Sequence, residues 1–447
     1  MSDSDDRTYR VELMSRVEGE GSFTLRTRGD EVIGAELSIF EAPRFFEAFL
    51  RGRKPDDVVD IVARICGICP IAYQVSASRA FERAFGVELT EPLQKLRRLL
   101  YCGEWIESHV LHVFMLHAPD FLGYPSAIEM AADHRGVVER GLRLKKTGNA
   151  LIELLGGRAT HPVSPCVGGF HKAPRKRDLH RLRDDIEKGL EDSLETVRWT
   201  AGLDAPDYVQ SYVYVAMRDE GRYPIEAGES IAVSGRDDVP LDDWPDAFEE
   251  HHVQRSNALQ ARLKDGTPYL CGPMARLHHF ADDLHPVAAD VMKEVGLGRS
   301  ENNPYRSIVV RAVETVHAFA EALDIVDRYV EPEVPRVGVA PPPHAQPRVR
   351  GAARVSWGCG GSEAPRGMLW HRYEIDAEGL VADARIIPPT SQNQARIEED
   401  LKGLGPKLLQ MDHVAATHLC EQLIRSYDPC ISCATHFLDL RIEEEGS

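Results

Sequence analysis

Arg64-Ile65-Cys66-Gly67-Ile68-Cys69-Pro70 and Asp428-Pro429-Cys430-Ile431-Ser432-Cys433-Ala434-Thr435-His436 are the two stretches that decide the fold. Each holds a C-x-x-C pair, and the pairs stand at opposite ends of the chain, with Cys66 and Cys430 364 positions apart. Within a pair, the i, i+3 spacing puts both sulfurs on one side of a turn. Four soft thiolates suit zinc, an iron–sulfur cluster or a soft-ligated nickel. Structural zinc sites draw their pairs from within tens of residues, because each stabilises a small local fold, so this separation argues against zinc. A thioredoxin-type redox pair needs a βαβ setting, which the flanking sequence lacks. The expectation is that the fold brings the N- and C-terminal segments together at one central metal site.

Working outward, Pro55-Asp56-Asp57 reads as the first turn of a helix that delivers the chain to Cys66, since proline and acids are favoured there. A short helix at 44–51 precedes it. Residues 71–85 form a helix closed by Gly86, and Pro92 opens a longer one that stops before Pro119. His109, His112 and His117 on it read as packed or capped helix histidines. Upstream, apolar alternation over 8–40 predicts a meander of two or three strands, with Arg16-Val17-Glu18-Gly19-Glu20-Gly21 as a turn inside it. Helices follow at 134–155 and 178–200. The glycine-rich stretch between them, Gly156-Gly157-Arg158 to Gly168-Gly169, lacks phosphate-loop spacing. Residues 203–256 are acidic and mixed, with short strands at 208–215 and 231–233, and read as surface excursions. A long helix over 302–330 carries an apolar stripe through Val309, Val313, Val316, Ala320 and Leu323. The proline-rich 332–347 is a connector. Strands at 368–375 and 382–387 and helices at 393–402 and 411–427 lead to Cys430. The fold class is therefore mainly α with a smaller β portion (α+β). The N-terminal meander and the late strands are expected to share that β portion, in one elaborated domain spanning 1–447.

The chain has 447 residues, 43% hydrophobic and 28% charged, as in ordinary globular proteins, and a net charge of −18. Such a surface repels a phosphate backbone, so nucleic acid is excluded as a partner. No apolar run reaches the ~18 residues that would span a bilayer. The polar, acidic start lacks a signal-peptide pattern. Nine cysteines, an odd number, favour reduced thiols and metal chemistry in the cytoplasm over a disulfide framework. Cys102, Cys166, Cys271, Cys359 and Cys420 have no partner at ligand spacing and read as buried small hydrophobes.

In R-x-C-G-x-C near its start and D-P-C-x-x-C-x-x-H near its end, the sequence resembles the large, catalytic subunit of nickel–iron hydrogenases. Further matches are Arg16-Val17-Glu18-Gly19, Gly52-Arg53-x-Pro55, Ser108-His109 to Asp120, Glu363-Ala364-Pro365-Arg366-Gly367 and Pro389-Thr390-Ser391-Gln392-Asn393. It is most similar to the cytosolic, bidirectional, NAD(P)-linked group. The resemblance implies reversible cleavage of hydrogen into two protons and two electrons. It implies nickel with Cys66 and Cys430 as terminal ligands. Cys69 and Cys433 would bridge to an iron carrying carbon monoxide and cyanide, and Cys430 is a candidate base. Arg366, after Pro365, would lie over the open face of the metals, in a constrained turn, with Asp120 and Asp428 as its carboxylate partners; a purely structural ion pair is the plainer alternative. Thr390 and the backbone near Pro389 would donate hydrogen bonds to cyanide. Glu18, otherwise an ordinary solvated strand residue, would be the first proton relay. Glu47, the carbonyl of Ile386 and His436 match positions that hold magnesium, or a second iron.

Two positions depart from the family: Glu20 and Tyr73 stand where members carry histidine. The tail 437–447 corresponds to a propeptide removed by a maturation endopeptidase after nickel-insertion factors have acted. Electrons would leave to an iron–sulfur small subunit, since no further cluster-type cysteine set is present, and then to flavin and iron–sulfur diaphorase subunits. Gly358-Cys359-Gly360-Gly361 does not open a helix, so nicotinamide would bind elsewhere. The alternatives are a hydrogen-sensing, low-turnover hydrogenase and a non-catalytic scaffold like the related subunit of respiratory complex I; that lineage lacks the four cysteines.

Overall fold

A computed structural model describes residues 6–28, 31–41, 45–338 and 356–435. His436 and the tail 437–447 lie outside these residues, as does the connector beyond 338. The chain is mainly helical with a smaller β portion, as expected. At the N-terminus, β1 (Asp6–Val11), β2 (Gly21–Arg28) and β3 (Glu31–Ile39) form the anticipated antiparallel meander. Its period-2 pattern turns Tyr9, Phe23, Leu25, Leu37 and Ile39 into the core. A short helix, α1 (Phe46–Leu50), leads to α2 (Pro55–Val62), which starts on Pro55, buries Val58, Val59 and Val62 and ends just before the first cysteine pair. After the pair, α3 (Pro70–Phe85) stops at Gly86, whose φ of 66° ends the helix.

The helical core is built on α4 (Glu91–Val110), which is buried over nearly all of its surface. Where the sequence predicts one continuous α-helix to Pro119, the segment Leu111–His117 is a π-helix. One extra residue per turn there rotates His112, Val113, Phe114 and His117 inward. Packed on α4 are α5 (Arg135–Gly156) and α7 (Ser307–Asp327), and α6 (Arg183–Ala201) packs in turn on these two.

A second three-stranded sheet, β4 (Ser356–Ala364), β5 (Gly367–Ile375) and β6 (Val381–Ile387), lies directly on α3. The glycine run explains how. A Cβ at Gly358 would stand 2.1 Å from the Ala80 carbonyl oxygen, and one at Gly360 2.1 Å from that of Ser76. Missing side chains let helix backbone and sheet backbone touch. Then α8 (Pro389–Gly403) and α9 (His413–Ser426) return the chain to Cys430.

Two expectations are corrected. The stretch 203–256 is not a set of surface excursions. Its strands Tyr214–Arg218 and Ser230–Val233 belong to a four-stranded sheet, and Val215, Met217, Ile231, Val233, Trp244 and Phe248 form a second buried cluster with Met368 and Trp370. Trp244 stacks on Trp370 at 5.4 Å. Short apolar runs separated by acids hid this core. The two ends of the chain also do not share a sheet: β1–β3 and β4–β6 are separate. The ends meet by one isolated parallel bridge between Glu18 and Cys430, with Ile431 N–H donating to the Glu18 carbonyl at 2.9 Å. Gly19 makes this approach possible, since a Cβ there would fall 2.7 Å from that of Ile431 and φ is +85°. Among the described residues no helix is long and apolar enough to cross a membrane.

Candidate metal centre

The fold brings the four cysteines of the two pairs together. Cys66, Cys69, Cys430 and Cys433 are buried, and their sulfurs all lie within 4.8 Å of one another. Cys66 and Cys430 are 3.4 Å apart, Cys69 and Cys433 3.7 Å, Cys430 and Cys433 2.9 Å. Each ligand loop is held by its backbone. The N–H groups of Ile68 and Cys69 both donate to the Cys66 sulfur at 3.3 Å, and Cys69 is the N-cap of α3. Cys430 N–H donates to Thr390 Oγ1 at 3.0 Å from the first turn of α8.

The electrostatics fit a metal. Hydrogen bonding with Cys430, then with Cys433 and Cys69, helped by the Arg366 guanidinium, holds the Cys66 thiol well below its usual range. Burial pushes Cys430 and Cys433 well above theirs. Cys69 is also raised: its hydrogen bond with Cys430 lowers it, but Cys433, Cys66 and burial outweigh that. Four thiols this close, out of water, cannot all ionise unless a multiply charged soft cation joins them. The donor set therefore fits a soft metal such as nickel. The five other cysteines are buried, as expected, and burial raises each thiol: Cys166 to about 11, Cys359 and Cys420 to about 12, Cys102 and Cys271 higher still.

Around the sulfurs stand most of the residues singled out in the sequence. Glu18 Oε2 accepts from the Cys430 thiol at 3.1 Å and from Ser432 N–H at 3.0 Å. Ser432 Oγ in turn donates to Glu41 at 2.9 Å. Pro365 and Arg366 form the two-residue turn between β4 and β5, closing on the Ala364–Gly367 pair. Arg366 is 2% exposed; its Nε donates to the Asp428 carbonyl at 2.8 Å and its Nη2 to Asp428 Oδ1 at 3.1 Å. Among the described residues, Nη1 has no hydrogen-bond partner. Asp428, just before Pro429, has φ of 53°, a left-handed position costly for a residue that precedes proline.

Asp120 is not a partner of Arg366, and that expectation is corrected. Its carboxylate is taken by Arg425, at 2.8 and 2.9 Å, and by Arg16. Those arginines hold its carboxyl below the usual range against the effect of burial. Glu47 Oε1 accepts from the main-chain N–H of Ile386 at 2.7 Å. The two residues line a cavity of about 350 Å³ that also touches Cys433, Ala434 and Thr435. Pro389 accepts the Cys271 thiol through its carbonyl at 3.6 Å. Tyr73 is buried, and burial, then the neighbouring Cys433, Cys69 and Cys430, push its hydroxyl well above its usual range.

The sequence reading missed the clamp beneath the Arg366 turn. Fully buried Arg276 pairs with both oxygens of Glu314 at 2.7 Å and with Glu363 at 2.8 Å, and donates to the Ala364 and Pro365 carbonyls at 3.0 and 3.1 Å. The available signal was Glu314 itself, a lone acid between Val313 and Val316 in an apolar stripe.

A family model described as nickel-dependent hydrogenase matches residues 44–137 and 262–436, the two stretches that carry the cysteine pairs. The chain belongs to the nickel-dependent hydrogenases. This hydrogenase is 31% identical over 431 residues to the Sulfhydrogenase 1 subunit alpha of Pyrococcus furiosus, with 96% of this chain and 98% of the relative covered. It is 33% identical over 437 residues to the Sulfhydrogenase 2 subunit alpha of the same organism, covering 96% and 99%. The fold is that of solved hydrogenase structures. An NAD+-reducing [NiFe]-hydrogenase in the H2-reduced state matches with a TM-score of 0.81 at 24% identity, over 97% of this chain and all of that one. The [NiFeSe]-hydrogenase of Dm. baculatum matches at 0.78 and 21%, over 96% and 100%. The hydrogenase chain is thus a catalytic large subunit, and its four-sulfur cluster could hold a metal.

Proposed function

We propose that this subunit catalyses reversible heterolytic cleavage of hydrogen at a nickel–iron pair. Cys66, Cys69, Cys430 and Cys433 would together hold nickel and an iron bearing carbon monoxide and cyanide. The metals supply the polarisation that lets a molecule as weakly acidic as hydrogen give up a proton. The chain's own residues hold and move that proton. The Cys430 sulfur receives it, and Glu18, within hydrogen-bond reach of that sulfur, carries it away. Ser432 and Glu41 lie next in line toward the exposed Glu20. Arg366, oriented by Asp428, presents a fixed positive charge over the sulfurs and needs no reorganisation during turnover. Thr390 and the backbone near Pro389 would donate hydrogen bonds to cyanide, and Glu47, the Ile386 carbonyl and His436 would hold a magnesium or second iron. The observation that carries this reading is the Glu18 carboxylate set on one sulfur of a four-thiol cluster otherwise closed to solvent.

Electrons leave to an iron–sulfur small subunit. Between the first two cysteines, Gly67 is exposed and Ile68 half-buried, so that loop is the short route to the surface. A structural neighbour that reduces NAD+ supports onward transfer to NAD(P) through diaphorase subunits, in a cytoplasmic complex. The tail 437–447 is removed by an endopeptidase once nickel is in place, leaving one domain of residues 1–436. Infrared spectra of the purified complex test the centre. Bands of metal-bound carbon monoxide and cyanide are expected, and nickel-replete protein without them would refute it. Hydrogen-dependent reduction of NAD+ against NADP+ tests the acceptor, and intact mass of nickel-loaded chain tests the tail.

A further inference from the structure

Helix α3 begins at the metal centre with an unusual N-terminus. Its N-cap is Cys69, whose sulfur makes no capping hydrogen bond, and its first residue is Pro70, which has no N–H. The two backbone donors that a capping side chain would normally satisfy are those of Ile71 and Ala72. Both are satisfied from another helix. Ile71 N–H donates to Glu104 Oε2 at 2.7 Å and Ala72 N–H to Glu104 Oε1 at 3.1 Å. Glu104 is fully buried on α4. Every backbone N–H from Ile68 to Ala72 thus has an acceptor: two go to the Cys66 sulfur and two to Glu104.

We propose that Glu104 is a positioning residue of the metal centre: it caps α3 in place of the Cys69 sulfur and so keeps that sulfur free for the metals. Helix N-termini draw thiolates strongly. Without Glu104, the acceptor nearest in sequence for the Ile71 and Ala72 donors is Cys69 at the cap position. A sulfur lone pair engaged by N–H groups donates less to a metal. Glu104 also sets a spacing. The next residue on α4, Trp105, donates its indole N–H to the Glu363 carbonyl at 2.9 Å, three residues before Arg366. One turn of α4 therefore ties the start of the Cys69 helix to the strand that carries the Arg366 turn. The proposal rests on the reading of the cluster as a nickel–iron centre.

The test uses the purified nickel-loaded complex with Glu104→Gln and Glu104→Asp. The glutamine is isosteric but turns an amide N–H₂ toward one of the two donors, while the aspartate keeps the carboxylate and shortens its reach. Infrared bands of iron-bound carbon monoxide and cyanide, nickel and iron per chain, and dye-linked turnover are read together. Glu104→Gln is expected to shift the bands and to lower metal content or turnover about 10–100-fold, with Glu104→Asp in between. A purely structural role would lower thermal stability and leave the bands of the folded fraction in place. That result overturns the proposal, as does failure of both variants to yield any folded complex. A wild-type complex without the bands would instead overturn the nickel–iron reading, and this assignment with it.

Discussion

Glu18 shows how much one residue owes to its partners. As a strand-end acid it would be unremarkable; the parallel bridge to Cys430 aims its carboxylate at a sulfur. Glu18→Gln keeps the acceptor for the Ser432 N–H but cannot take up a proton. Turnover with an artificial acceptor is expected to fall about 10²–10⁴-fold, while metal content and the infrared bands stay at wild-type values. Loss of the bands would assign Glu18 to assembly. Arg366 was legible because the flanking Glu363-Ala364-Pro365 and Gly367 mark a tight turn. Its neighbour was not: Asp120 and Asp428 are both acids near family motifs, and only the packing of α9 shows Arg425 occupying the first and leaving the second to Arg366.

At the scale of elements, α3 pressed onto the β4–β6 sheet fixes the first ligand loop. Gly360→Ala places a methyl 2.1 Å from the Ser76 oxygen, so helix and sheet must part. A loss of about 3 kcal/mol is expected from such overpacking, measured by urea unfolding. The sequence displayed this glycine run and suggested only what it was not, because nothing local says which helix will lie on it. Between α4 and α7, buried Arg98 donates to Glu321 at 2.7 Å and to Glu226 at 2.8 Å. Burial raises the Glu321 carboxyl, but Arg98 outweighs it and holds it at about 2. A lowered folded-state pKa means stability that is full above the unfolded value of 4.5 and is lost as pH falls toward about 2. Arg98→Met should cost about 3–5 kcal/mol near neutrality and flatten that acid limb in pH-dependent unfolding; an unchanged limb would remove Glu321 as its cause.

At the scale of the whole molecule, the two cysteine pairs announced the meeting of the chain's ends but not the means. Strand pairing was the obvious device for the alternating stretches. Among the described residues the backbone bridge is single, and side-chain hydrogen bonds back it: Ser432 N–H donates to Glu18 at 3.0 Å, Leu37 N–H on β3 donates to Glu398 of α8 at 2.9 Å, and Arg425 of α9 reaches the Ser15 carbonyl at 3.2 Å. A metal held by all four sulfurs would tie the two segments of this seam together further. In metal-free chain, amides around Glu18–Gly21 and Cys430–Thr435 are expected to lose protection in hydrogen–deuterium exchange, while α4 and α7 keep theirs. Equal protection with and without metal would show that the seam closes unaided. The second buried cluster, around Trp244 and Trp370, was lost to the sequence because its strands are two to five residues long and interrupted by acids.

The distance between the pairs along the chain also has a consequence in time. A ribosome adds about 5–20 residues per second. The 364 positions from Cys66 to Cys430 therefore correspond to about 20–70 s during which the first pair exists and the second does not. A metal captured in that interval meets two sulfurs and an unfinished fold. The four-sulfur cluster is therefore complete only once Cys430 and Cys433 have been made and have folded against the first pair.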